Sequence, residues 1–174
     1  RSGKGGLKTR MVAENPHLLE VELADEVATR SLGKALAARL QIGDLILLRG
    51  DLGVGKTALA RAMVQAHLAA HGLAEDVPSP TFTLVQTYES PALLLAHADL
   101  YRIEEPGELR ELGLAEFANE GVVLVEWPER AEVEIRHLSR DRLDITLSLM
   151  PEGRRGVRLK GSGSWAARLG GLSL

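Results

Sequence analysis

The chain holds 174 residues, enough for one domain with a single sizeable core, and with 3% aromatic residues that core must be aliphatic. A net charge of −3 and 26% charged residues suit an ordinary soluble globular protein and exclude a chain-wide polyanion binder. Cysteine is absent, which excludes a disulfide framework, a thiol nucleophile and a cysteine-based metal site and agrees with a reducing cytoplasm; no apolar run reaches the roughly 18–20 residues of a membrane helix, and no signal peptide is visible.

Residues 1–10 (RSGKGGLKTR) are basic, glycine-rich and aperiodic. They read as a disordered leader or an expression remnant, with Met11 as a natural start. Residues 11–174 then read as a single domain. Leu18 to Leu23 alternates as a strand does. Asp25-Glu26 suits a helix start, because acids are favourable there, and the helical spacing continues to Leu40.

Leu45-Ile46-Leu47-Leu48 reads as a buried strand, and Gly50-Asp51-Leu52-Gly53-Val54-Gly55-Lys56-Thr57 follows it directly. This fits the P-loop pattern G-x-x-x-x-G-K-[ST], and Ala58 to Val64 opens the helix that the motif requires. Glycines allow successive N–H groups to turn inward around a phosphate. The helix start adds unpaired donors and a positive dipole end. Lys56 supplies a mobile charge for the β- and γ-phosphates and is expected to be solvent-accessible, and the Thr57 hydroxyl suits Mg²⁺. The helix is expected to run to about His71, with Gly72 as its stop.

Val77-Pro78-Ser79-Pro80-Thr81-Phe82-Thr83 excludes helix and suggests a stiff loop. Two readings of it stand: a switch in which Thr81 senses the γ-phosphate, or a turn entering the strand Leu84 to Tyr88. Leu93 to Arg102 is an apolar strand ending in Asp99, and Gly121 to Glu126 is a second one ending in Glu126. Carboxylates at strand ends lie where open α/β sheets bind ligands. Pro106 to Phe117 reads as one or two short helices broken near Gly113. Glu132 to Arg136, Leu143 to Leu149 and Gly156 to Lys160 read as strands, and Trp165 to Leu169 as a terminal helix. From Arg136 to Lys160 seven Lys/Arg face three acids, which fits a solvated sheet edge or a surface for RNA or an acidic partner.

Either Asp99 or Glu126 could support a metal while the other positions a water, and the residues alone leave that open. His97 lies two positions before Asp99, on the same side of the strand, and either orients it or is an ordinary partly buried histidine. Trp127 is a candidate for nucleotide, partner or core contact. Arg102 and Arg130 are candidates for phosphate stabilisation or simple salt bridges.

GDLGVGKT (50–57), SPTFTLV (79–85), HADLYR (97–102) and VEWPER (125–130) occur in an order and spacing that closely resembles the TsaE (YjeE-type) family, bacterial ATPases of tRNA N6-threonylcarbamoyladenosine biosynthesis. The similarity runs from about Leu23 to Lys160. It implies an α/β fold, a P-loop NTPase-like, mainly parallel sheet flanked by helices with additional antiparallel C-terminal strands. It implies ATP and Mg²⁺ as cofactors, with Thr57 and Glu126 on the metal and Asp99 in hydrolysis. Glu26 would lie near the base, and Gly153 and Arg154 near the nucleotide. The implied partners are the TsaD- and TsaB-type subunits of the threonylcarbamoyl-transferase complex, which the ATPase resets, with tRNA reached indirectly through that complex and no membrane.

Two other readings have a basis in the residues. A small P-loop kinase needs a second pocket and a lid rich in arginines, and the arginines here are scattered. A nucleotide-gated binding module would use occupancy instead of hydrolysis. No N/T-K-x-D base-reading motif occurs, which argues against GTP.

Overall fold

A computed structural model of the chain describes residues 7–11, 17–80, 83–172 and 174. Its strands are β1 (Lys8–Met11), β2 (Leu18–Leu23), β3 (Leu45–Arg49), β4 (Val85–Glu89), β5 (Leu94–Asp99), β6 (Gly121–Glu126), β7 (Arg142–Leu149) and β8 (Arg155–Ser162). Its α-helices are α1 (Glu26–Ala37), α2 (Lys56–Ala70), α3 (Leu114–Glu120), α4 (Glu132–Arg136) and α5 (Ser164–Gly170). The strands form one mixed sheet in the order β1-β2-β8-β7-β3-β6-β5-β4. The four central strands β7, β3, β6 and β5 are parallel, and every pairing outside them is antiparallel. The expected parallel sheet is therefore its centre, and antiparallel strands extend both ends.

Residue pattern explains this division. β3 and β6 are apolar and buried on both faces, as central parallel strands must be. β2 alternates between buried and half-buried residues, because only one of its faces is covered. One core lies on the face that carries Ile46, Leu48, Leu124 and Ile145 beneath α1 and α2, and it includes Leu32, Leu36, Leu59 and Met63. The second core lies on the opposite face, where Leu45, Leu47, Val123 and Val125 meet Leu109, Leu114 and Ile135. No helix among the described residues is long and apolar enough to cross a membrane.

Two expectations change. Lys8, Thr9 and Arg10 are ordered, not disordered: they belong to β1, where Lys8 and Arg10 stand opposite Glu22 and Glu20. Opposite charges across an antiparallel pair stabilise such a strand. Residues 1–6 lie outside the described residues. Glu132–Arg136 is helical, not extended, and Arg136 Nε donates to Glu132 Oε1 at 2.8 Å across one turn. Three members of the basic run from Arg136 to Lys160 are ion-paired: Arg136 with Glu132, Arg154 with Glu22, and Arg158 with Glu20. The run does not lie on a sheet edge, because β7 and β8 are interior strands and Arg136 belongs to α4.

Candidate active site

The central strands end together, and their last residues carry the polar groups. β5 and β6 are parallel neighbours in which Ala98 pairs with Val125 and Asp99 with Glu126. Along the α2 face these strands read Leu95, His97, Asp99 and Val122, Leu124, Glu126, so the polar groups gather toward their C-terminal ends. The ends of open α/β strands are where ligands bind.

The P-loop connects β3 to α2 beside these ends. Gly50 has φ 137°, and a Cβ there would lie 2.5 Å from the Leu147 carbonyl oxygen, so no other residue fits without a shift. Gly55 caps α2 in the left-handed conformation with φ 110°. Its amide and those that follow open the helix, which leaves donors facing the loop's concave side.

Lys56 is buried rather than solvent-accessible. Its ammonium folds back onto its own loop, donating to the Gly50 carbonyl and, at 3.1 Å, to the Asp51 carbonyl. It also lies 3.8 Å from the centroid of the Trp127 ring. Burial pushes the Lys56 amine below its ordinary value, while Glu126, Glu129, Asp99 and Asp51 pull it back. An anion in the loop would offer this charge better partners than backbone carbonyls.

Thr57, one residue into α2, donates its hydroxyl to Glu126 Oε1 at 2.6 Å. Glu126 is 2% exposed, and its other oxygen, Oε2, lies 2.8 Å from His97 Nε2. A carboxylate only accepts, so His97 is the donor. Asp99 Oδ1 accepts from the Tyr101 amide at 2.9 Å. Trp127 is half-buried with φ 57°, and its ring lies 5.0 Å from that of Tyr101. Arg130 sits over the Tyr101 ring at 5.4 Å.

These groups surround a cavity of about 300 Å³, lined by Leu52, Gly53, Gly55, Lys56, Thr57, Ala58, Asp99, Tyr101, Arg102, Glu126 and Trp127. Of the sequence-derived site residues, Leu52, Gly53, Gly55, Lys56, Thr57, Asp99 and Glu126 thus line one cavity, and Gly50, Asp51 and Val54 belong to the same loop. The other candidates lie elsewhere. Glu26 opens α1, exposed, 3.7 Å from Arg30. Arg154 pairs with Glu22, while Gly153 accepts from Arg155. Thr81 lies outside the described residues. Reasoning from sequence missed Tyr101 and Arg155. Arg155 Nε donates to the Val54 carbonyl at 2.7 Å and so braces the P-loop from the sheet side. Arg154, in the turn before β8, pairs instead with Glu22.

The oxygen donors fit a hard divalent cation. A hydroxyl and a carboxylate that meet at one point beside a phosphate-type loop suit Mg²⁺, which takes few protein ligands and fills the remainder with phosphate and water.

Comparison with known proteins shows the family. The family described as "Threonylcarbamoyl adenosine biosynthesis protein TsaE" matches residues 23–157. The chain is 39% identical over 134 residues to the tRNA threonylcarbamoyladenosine biosynthesis protein TsaE of Rickettsia bellii, covering 76% of this chain and 88% of the relative. It is 41% identical over 144 residues to that of Aquifex aeolicus, covering 82% and 96%. The crystal structure of Bacillus subtilis YdiB superposes with a TM-score of 0.68 at 27% identity, covering 94% of this chain and 93% of that one. The chain belongs to the TsaE family of threonylcarbamoyl adenosine biosynthesis proteins.

Proposed function

We propose that this protein is a Mg²⁺-dependent ATPase that acts in tRNA N6-threonylcarbamoyladenosine formation by resetting a TsaD- and TsaB-type transferase complex in the cytoplasm. Family membership supports the process. The observation that carries the ATPase reading is the 2.6 Å bond between Thr57 Oγ1 and Glu126 Oε1 at the foot of the P-loop helix. It joins the P-loop hydroxyl to a strand-end acid, the pair that supports Mg²⁺ in P-loop NTPases.

In this reading the loop amides of Gly53 to Thr57 bind the phosphates, and Lys56 leaves the Gly50 and Asp51 carbonyls to pair with the β- and γ-phosphates. Thr57 and Glu126 would hold Mg²⁺, which would neutralise charge between those phosphates. Asp99 accepts a hydrogen bond from the water that attacks the γ-phosphate in line. Arg102 lines the same cavity and would add positive charge for the phosphates.

Weak activity of the isolated protein is expected on this reading, on two grounds. Lys56 is satisfied by its own loop and by Trp127, so the resting loop must be opened. A partner that orders the site or adds an arginine contributes about 10³–10⁵ in rate in other phosphoryl-transfer systems.

The test is ATP hydrolysis measured alone, with tRNA, and with the purified transferase complex. Stimulation by the complex and not by tRNA alone supports this reading. Equal rates in all three mixtures reject the partnership, and product from a metabolite-phosphorylation screen would favour a kinase.

A further inference from the structure

His97 is 0% exposed, and among the described residues its ring makes one hydrogen bond, from Nε2 to Glu126 Oε2 at 2.8 Å. The other ring nitrogen, Nδ1, is buried and has no partner among the described residues. The ring sits where the row turns from apolar to polar, with Leu95 before it and Asp99 after it on its own strand and its register partner Leu124 on β6. A leucine would suit that position as packing. An unpaired buried polar atom carries a desolvation cost, so a histidine retained only as filler would be expected to satisfy both nitrogens. The single bond it makes goes to the acid that also accepts from Thr57.

We propose that His97 is a positioning residue: its Nε2–H fixes the Glu126 carboxylate so that Oε1 stays beside Thr57 Oγ1. The inference rests on the reading of this cavity as a Mg²⁺–nucleotide site. Glu126 is itself nearly inaccessible, so bulk water does not orient it. Without His97 the carboxylate keeps, among the described residues, only the Thr57 donor and can rotate about its last bond, which has broad, two-fold preferences. With His97 one oxygen is held and the other is presented. Groups that hold a metal-supporting ligand typically change metal affinity by about 10–100-fold when removed.

The experiment uses the full chain with Mn²⁺ and ADP as probes. Mn²⁺ affinity is measured by titration in the presence of ADP, and ADP affinity is measured separately in EDTA. His97→Leu is expected to weaken Mn²⁺ binding about 10–100-fold while ADP affinity in EDTA changes by less than about twofold. His97→Gln, whose amide N–H can reach the same carboxylate, is expected to recover most of the loss. In a Glu126→Gln background His97→Leu is expected to add nothing, because it acts through Glu126.

Unchanged Mn²⁺ affinity in His97→Leu overturns the proposal, and so does a full additional loss in the Glu126→Gln background. If His97→Leu does not fold, imidazole ¹⁵N–¹H spectra of the wild type decide. The Nε2–H resonance of His97 must shift when Mg²⁺ joins the ADP-bound protein, and an unmoved resonance overturns the proposal. Wild-type protein that binds neither Mn²⁺ nor ADP rejects the nucleotide-site reading itself, and the inference falls with it. Normal wild-type binding with an unaffected variant rejects the inference alone.

Discussion

Asp99 and Glu126 are register partners at the ends of adjacent parallel strands, yet their carboxylates are bonded to different parts of the protein. Glu126 reaches the P-loop helix through Thr57 at 2.6 Å, whereas Asp99 accepts from the Tyr101 amide at 2.9 Å in the loop that follows β5. On the proposed reading, Glu126 supports the metal and Asp99 positions the water, roles that spacing in the sequence leaves open. Glu126→Gln is expected to weaken the Mg²⁺ dependence of activity by about 10–100-fold. Asp99→Ala is expected to lower hydrolysis by about 10²–10⁴-fold, with nucleotide affinity largely kept. Separate measurements of kcat and of nucleotide affinity check both, and the opposite pattern would exchange the roles.

Trp127 reports on the resting P-loop, because Lys56 stands 3.8 Å above its ring. Nucleotide that draws Lys56 toward phosphate removes that contact. The intrinsic fluorescence of the protein is therefore expected to change on ADP addition, and Trp127→Phe is expected to abolish the response. Trp165, the other tryptophan, is fully buried elsewhere in the core and should contribute a constant background.

Arg155 ties the first residue of β8 to the P-loop through the Val54 carbonyl at 2.7 Å. Its aliphatic stem packs against Gly55, where an added Cβ would lie 3.4 Å from Arg155 Cδ. Arg155→Met keeps most of the stem and removes the charged donor. A charged hydrogen bond contributes about 1.5–3 kcal/mol to stability, so a melting temperature lower by several degrees is expected, together with weaker nucleotide affinity because the loop loses its brace. Calorimetric titration with ADP, alongside thermal melting, checks this.

Glu132 anchors α4 to the end of the P-loop strand. Arg49 NH1 and NH2 donate to its two oxygens at 2.8 Å each, and Arg49 also pairs with Asp144. The hydrogen bonds from Arg49, supported by Arg136, hold the Glu132 carboxyl down from 4.5 to about 2. A depressed carboxylate adds stability above its unfolded value, and that stability is lost as pH falls through the folded one. With partial exposure discounted, the contribution is about 1–2 kcal/mol. Glu132→Gln is expected to melt earlier than wild type at about pH 7, and the gap is expected to close as pH falls from 4.5 toward 2. Melting curves across that range check it, and a gap independent of pH would contradict it.

The parts of the site that are legible in the sequence are those that a local rule dictates. The P-loop can be read because Gly50, Gly55, Lys56 and Thr57 each answer a backbone or charge requirement within one short motif. Asp99 and Glu126 can be read as ends of apolar strands, but that Glu126 is the one bonded to α2 through Thr57 depends on strand order. Spacing ties His97 to Asp99, its neighbour on the same strand face. Its actual partner, Glu126, is reached across to β6, and strand order is not written locally. Arg155 is hidden by register, since a one-residue step in a strand turns a side chain to the other face. Glu132–Arg136 reads as a strand because so short a segment does not tell period 2 from period 3.6.

The central claim is that the cavity beside Thr57 and Glu126 binds ATP with Mg²⁺ through the P-loop. Its most direct test is calorimetric titration of ATP into wild-type protein and Lys56→Ala, each with Mg²⁺ and with EDTA. The account predicts saturable wild-type binding that Mg²⁺ strengthens, and its loss in a folded Lys56→Ala protein. Equal ATP affinity in the two proteins, or wild-type binding indifferent to Mg²⁺, would contradict it.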